Sequence, residues 1–237
     1  MYGYPMYYGY DWTYFLVLIG VVLSMIASHN VQATFEKYSH VQAFSGLTGA
    51  QAAKMILERN GINNVRIQGI AGSLTDNYVP SQKVLNLSQS TINSTSIAAI
   101  GVAAHECGHA IQDARGYQPL ILTRTISPIC AIASKVSLPL ILFGFIISMT
   151  SLVQIGIITF AVAISIQLLT LPVEFDASRR AVQTLAEYGM VNDNELNGIK
   201  AVLKAAALTY VAAAASSVLQ LLRLVLLTRG SGRRRRR

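Results

Sequence analysis

Apolar residues in this chain are gathered into blocks at 12–27, 138–171 and 205–227, while polar residues cluster in 28–96, 105–118 and 174–200. An apolar run of about 20 residues matches the thickness of bilayer hydrocarbon, where only helices or closed barrels satisfy every backbone polar group. Charged residues are 13% of the chain and hydrophobic ones 52%, whereas soluble domains carry about a quarter charged residues. The blocks therefore read as transmembrane helices. The polar clusters suffice for one small water-facing unit intertwined with them.

Residues 1–28 read as an N-terminal anchor. The first eleven residues are rich in tyrosine and lack Lys and Arg, and Trp12 opens an apolar run to Ala27. Aromatic rings favour the headgroup layer. The absence of a positive n-region and of a small-x-small cleavage site separates this segment from a secretory signal. Residues 126–171 form a helical hairpin interrupted by Lys135 and Pro139, with a break near Thr150 to Gln154. Pro172 ends the second run and suits the first turn of a new helix reaching Tyr188. Residues 201–228 form an Ala-rich helix that either spans the bilayer or lies against it, and 229–237 a basic tail.

Charge sets the orientation. Seven basic residues lie in 28–125, and Arg179, Arg180 and Lys200 in the later cluster, against none before residue 12. The positive-inside rule places both polar clusters in the cytoplasm. A final span would then carry the Arg-rich end outside, against that rule. Net charge is +8, but Arg233 to Arg237 supply five of those charges. That run suits anionic headgroups or a solvated tail, and gives no case for nucleic acid.

Within 29–125, Thr48 and Gln51 form a capping box and Asn60-Gly61 stops the helix between. Val65 to Ile70 reads as a strand, and 73–79 with 83–88 as a β-hairpin turning at Pro80-Ser81-Gln82. Ser94-Thr95-Ser96 then caps a long helix from about Ile97 to Ala114, ended by Gly116. Cys107 and Cys130 imply no disulfide framework.

The long helix carries His105-Glu106-Cys107-Gly108-His109, an H-E-x-x-H pattern. A helical turn takes about 3.6 residues, so both imidazoles reach one metal from one face. Glu106 sits roughly a hundred degrees around the helix, placed to take a proton from a water beside the metal. Zinc suits such ligands and leaves a position open for water. His29 and His40 fall in unpatterned sequence and carry no role. The third ligand must therefore be a carboxylate. Asp113 lies a turn beyond His109, and Glu187, Asp193 and Glu195 belong to a solvated helix end and loop. Asp176 faces away from Glu174, which stands where a span returns to water and is the best candidate.

On these residues the chain resembles the YugP-like neutral zinc metallopeptidases, integral membrane proteins of bacteria. The resemblance runs from about Phe35 to Leu227. It rests on Tyr38-Ser39, Ser45-Gly46-Leu47-Thr48-Gly49, Leu74-Thr75-Asp76, Leu85-Asn86-Leu87-Ser88, the segment Ala103 to Ala110, Leu171-Pro172-Val173-Glu174-Phe175 and Leu208-Thr209-Tyr210-Val211-Ala212. More distantly the chain is similar to the HtpX and CAAX-protease class, whose second motif, Glu-Phe-x-Ala-Asp, supplies the third zinc ligand. Glu174-Phe175-Asp176-Ala177-Ser178 matches it except for Ser178. The resemblance thus carries the ligand role to Glu174, but not to Ser178 the final Asp's role of orienting an imidazole.

These readings imply a mainly α membrane protein with a small α+β, zincin-like catalytic domain, three to four transmembrane helices, and a gluzincin-like site. The expected site is one Zn2+ on His105, His109 and Glu174, with Glu106 as general base. The implied function is a membrane-bound metalloendopeptidase of the bacterial plasma membrane, its site facing the cytoplasm and its substrate a polypeptide. The strand at 84–88 offers an edge for an extended substrate. Tyr210 is either an oxyanion donor or a packed helix residue. An intramembrane protease fits poorly, because the end of the motif helix is polar and the later spans lack an Asp. A zinc-keeping membrane scaffold is the remaining alternative, but structural zinc fills four protein positions and no fourth ligand is evident.

Overall fold

The computed structural model describes residues 11–234, with side chains for residues 11–228. Most of the tyrosine-rich start and the end of the arginine tail lie outside the described residues. In chain order the elements are α1 (Tyr14–Ser39), α2 (Gly49–Arg59), β1 (Arg66–Ile70), β2 (Asn77–Val79), β3 (Val84–Ser88), α3 (Gln89–Ile92), α4 (Ile97–Ala114), α5 (Gln118–Ile146), α6 (Thr150–Glu187) and α7 (Asp193–Arg234).

Four helices, α1, α5, α6 and α7 to Thr228, are long and apolar enough to cross a membrane. Only 11–28% of their most apolar windows is buried, so most of that surface needs an apolar solvent. Helices packed in lipid gain little from apolarity alone and rely on close approach at small residues. α1 and α7 meet at Gly20, where a Cβ would lie 3.1 Å from Ser216, and the Ser216 hydroxyl donates to the Gly20 carbonyl at 2.7 Å. The hairpin of α5 and α6 closes at Gly144 and Gly156, each too near the facing backbone for a Cβ.

Two expectations change here. Pro172 lies inside α6, and Pro128 and Pro139 inside α5, without ending either helix. Proline is tolerated in such helices because neighbouring groups re-satisfy the freed carbonyls. The hairpin break falls at Ile147–Met149, ahead of the expected position, with Ser148 at φ 56°.

The water-facing unit matches the local signals closely. Thr48 and Gln51 make the reciprocal capping box on α2, and the Ser96 hydroxyl accepts from Ala99 N–H at the start of α4. The hairpin of β2 and β3 is antiparallel, with Gln82 N–H bonded to Val79 at the turn. β1 joins the other side of β3 in parallel, giving the order β1-β3-β2. β3 is therefore the central strand, buried on both faces, and offers no free edge. The expected substrate edge at 84–88 is corrected accordingly: β1 and β2 are the outer strands. Sheet, α2 and α4 share one core around Ile56, Leu85, Leu87 and Ile100, and α6 and α7 close it with Leu185 and Ile199.

Candidate metal and catalytic site

α4 presents His105 and His109 one turn apart, with ring centroids 4.8 Å apart and planes at 85°. Their placement depends on Gly108, which lets α4 touch the backbone of α6. A Cβ there would meet the Ala177 carbonyl at 2.5 Å. That contact brings Glu174, almost one turn before Ala177, onto the imidazole pair. Its Oε2 lies 3.2 Å from His105 Nε2 and 3.7 Å from His109 Nε2. One donor atom from each of the three residues falls within 4.8 Å of the others, so the structure brings the predicted trio together.

Each imidazole is held through its other nitrogen. His109 Nδ1 lies 3.0 Å from Gln112 Oε1. The Gln112 amide in turn donates to the Val173 carbonyl at 2.8 Å and to Asp176 Oδ2 at 2.9 Å. With the amide so fixed, its oxygen can only accept, so Nδ1 carries a proton toward Gln112 and Nε2 is the nitrogen directed at Glu174. Asp176 is pinned by Arg179 and Arg180. On the other ring, the Ser178 hydroxyl lies 3.1 Å from His105 Nδ1. Ser178 thus reaches the imidazole after all, with one hydroxyl where the wider class has a carboxylate.

Glu106 is 7% exposed and lines the same pocket as His105 and Glu174. Burial raises its carboxyl above the usual carboxylate range, an effect that the nearby histidines oppose. Burial also disfavours charge on His109. The hydrogen bond to Glu174 and the attraction of Glu106 and Glu174 outweigh it, lifting the imidazole to about 9. Two carboxylates at one imidazole pair call for positive charge between them. A divalent cation would supply it, and the nitrogen and oxygen donors fit zinc.

The pocket holds about 240 Å³. Leu74 and Asp76 wall it from the loop before β2, Val102 from α4, and Ala206 and Tyr210 from α7. Leu74 adopts φ 55°, a left-handed conformation that branched and bulky residues avoid and that clusters at functional sites. Of the carboxylates set aside from sequence, Asp113 pairs with Lys83 at 2.5 Å and accepts from the Tyr78 hydroxyl at 2.8 Å, away from the trio. Glu195 is buried, unlike its expected solvated position, because it accepts from the backbone N–H groups of Phe44 and Asn192. Sequence reasoning missed Gln112. Its only signal was the three-residue spacing from His109, on the same helix face.

Helices of membrane length around a His, His, carboxylate cluster define a membrane protein with a candidate metal centre where its spans meet the polar unit. The chain matches, over residues 13–229, the family described as "Putative neutral zinc metallopeptidase", and it belongs to that family. It is similar to "Putative membrane protease YugP" of Bacillus subtilis (strain 168), 46% identical over 213 residues that cover 90% of this chain and 95% of the relative. No solved structure matches the chain.

Proposed function

We propose that this protein is a membrane-bound zinc endopeptidase, with His105, His109 and Glu174 as zinc ligands and Glu106 as general base. The observation that carries the reading is the convergence of the two Nε2 atoms and the Glu174 carboxylate beside a buried, non-ligating Glu106. Zinc, when bound at such a site, lowers the pKa of a water to about 7 and polarises a carbonyl.

The chain's own residues supply the rest. Gln112 and Ser178 hold the imidazoles with Nε2 directed at the cluster. Glu106 takes a proton from the attacking water as its oxygen bonds to the peptide carbonyl carbon. It then delivers that proton to the amide nitrogen as the C–N bond breaks. The raised affinity of Glu106 for protons suits both roles. Tyr210, in the pocket wall, is available to donate to the developing oxyanion. An extended substrate can pair with the outer edge of β2, whose preceding residue Asp76 lines the pocket.

The test is cleavage of unfolded casein by the detergent-purified, zinc-loaded chain beside Glu106→Gln. The wild type cleaves, and the variant keeps its zinc while losing at least ~100-fold in turnover. Zinc-loaded wild-type protein with no cleavage would instead favour the scaffold reading.

A further inference from the structure

A second cavity of about 420 Å³ runs between α6 and α7 and shares Ser178, Leu203 and Ala207 with the walls of the catalytic pocket. It starts one hydrogen bond from the zinc-ligand candidate His105, since Ser178 is that residue's partner. Its apolar lining includes Phe175 and Leu208, which are 49% and 42% exposed. Solvent-facing apolar surface inside a concave site is what a bound side chain would cover.

The rim of this groove is cationic and lacks any acidic residue. Arg179 is committed to Asp176 and Gln183. Lys200 and Lys204 lie one turn apart on α7, both exposed, and neither makes an ion pair among the described residues. Two unpaired ammonium groups over an apolar floor set a definite complement: a bulky apolar side chain followed closely by carboxylates.

We infer that the α6–α7 groove is a substrate-binding subsite that selects acidic polypeptide segments, seating an apolar side chain against Phe175 and Leu208 and its neighbouring Asp or Glu residues on Lys200 and Lys204. The inference deepens the peptidase reading and rests on it for the identity of the occupant. The three walls shared with the catalytic pocket put an occupant of the groove next to the candidate site, which favours a polypeptide over an anionic lipid headgroup. Charge at such a rim acts on partner choice and encounter more than on total affinity.

The experiment measures binding separately from turnover. Two fluorescent decapeptides, identical except for Asp or Lys beside a central Leu and made with the charges on either side of it, are titrated against the full-length, detergent-purified Glu106→Gln chain. Anisotropy should show the acidic peptides binding about tenfold tighter. Lys200→Glu/Lys204→Glu on the same background should reverse that order, and Lys200→Gln/Lys204→Gln should abolish it. Equal binding of acidic and basic peptides by the parent chain would overturn the inference. So would a preference that survives charge reversal. If the lysine variants change only binding to vesicles of anionic lipid, the groove holds a headgroup and the peptide assignment falls. Charge-selective binding with no cleavage by the zinc-loaded wild type would leave the groove standing and remove the peptidase reading instead.

Discussion

Glu106 and Glu174 are both carboxylates of one pocket, and their surroundings differ in a way that suits the two proposed roles. Glu174 Oε2 lies between two imidazole nitrogens, while Glu106 is buried beside them with no place in the cluster of donor atoms. Glu174→Ala is therefore expected to lose most of its zinc, read by metal analysis after gel filtration. Full occupancy in that variant would remove Glu174 from the ligand set. Gln112 acts through His109, so Gln112→Ala should weaken zinc affinity by roughly 10–100-fold while casein cleavage recovers at saturating zinc. An activity loss that excess zinc cannot restore would give Gln112 a role beyond orientation. Of these residues, sequence spacing exposed His105, Glu106 and His109 directly, because all three sit within one helical turn. Gln112, Ser178 and Asp176 were hidden, because their partners lie on a different helix and no local pattern records a contact between helices.

At the scale of elements, the site exists because α4 and α6 approach to backbone contact at Gly108. Gly108→Ala places a methyl against the Ala177 carbonyl, and overpacking of this kind costs about 1–3 kcal/mol, more than the ~1 kcal/mol that alanine gains in helix propensity. The expected result is a lower Tm in detergent together with weaker zinc binding, since the same shift moves Glu174 from the imidazoles. An unchanged Tm with normal zinc affinity would show that α6 is not positioned by this contact. The prolines give the opposite lesson. Pro172 reads as a helix boundary in sequence, yet α6 runs through it as one helix from the membrane to the site. Carrying Glu174 on a continuous helix fixes its depth relative to α4, which a helix start in a loop would not.

The whole molecule joins four helices of membrane length to a small sheet-bearing unit, with the candidate metal trio at their junction. We propose that this unit faces the cytoplasm, because basic residues gather in 28–125 and 174–200 and the positive-inside rule favours that side. On that topology Ser81, in the turn between β2 and β3, would face the cytoplasm and Ser148, between α5 and α6, would face outward; both are exposed. Cys107 and Cys130 are buried, so background labelling is low. In intact cells a membrane-impermeant maleimide should label Ser148→Cys and leave Ser81→Cys untouched until lysis. The reverse pattern would invert the topology.

By itself the sequence determined the medium, the caps and turns of the polar unit, and the imidazole pair with its glutamate, because hydrocarbon length, capping and helical periodicity act over a few residues. It also marked Glu174 as a plausible third ligand, by elimination and by resemblance. Only the tertiary structure decided that β3 is central, that Pro172 lies within a helix, that Ser178 and Gln112 hold the imidazoles, and that two lysines of α7 line a groove sharing walls with the site. Each of those depends on which surfaces meet across long stretches of chain, and close packing between elements is set by the whole set of contacts together.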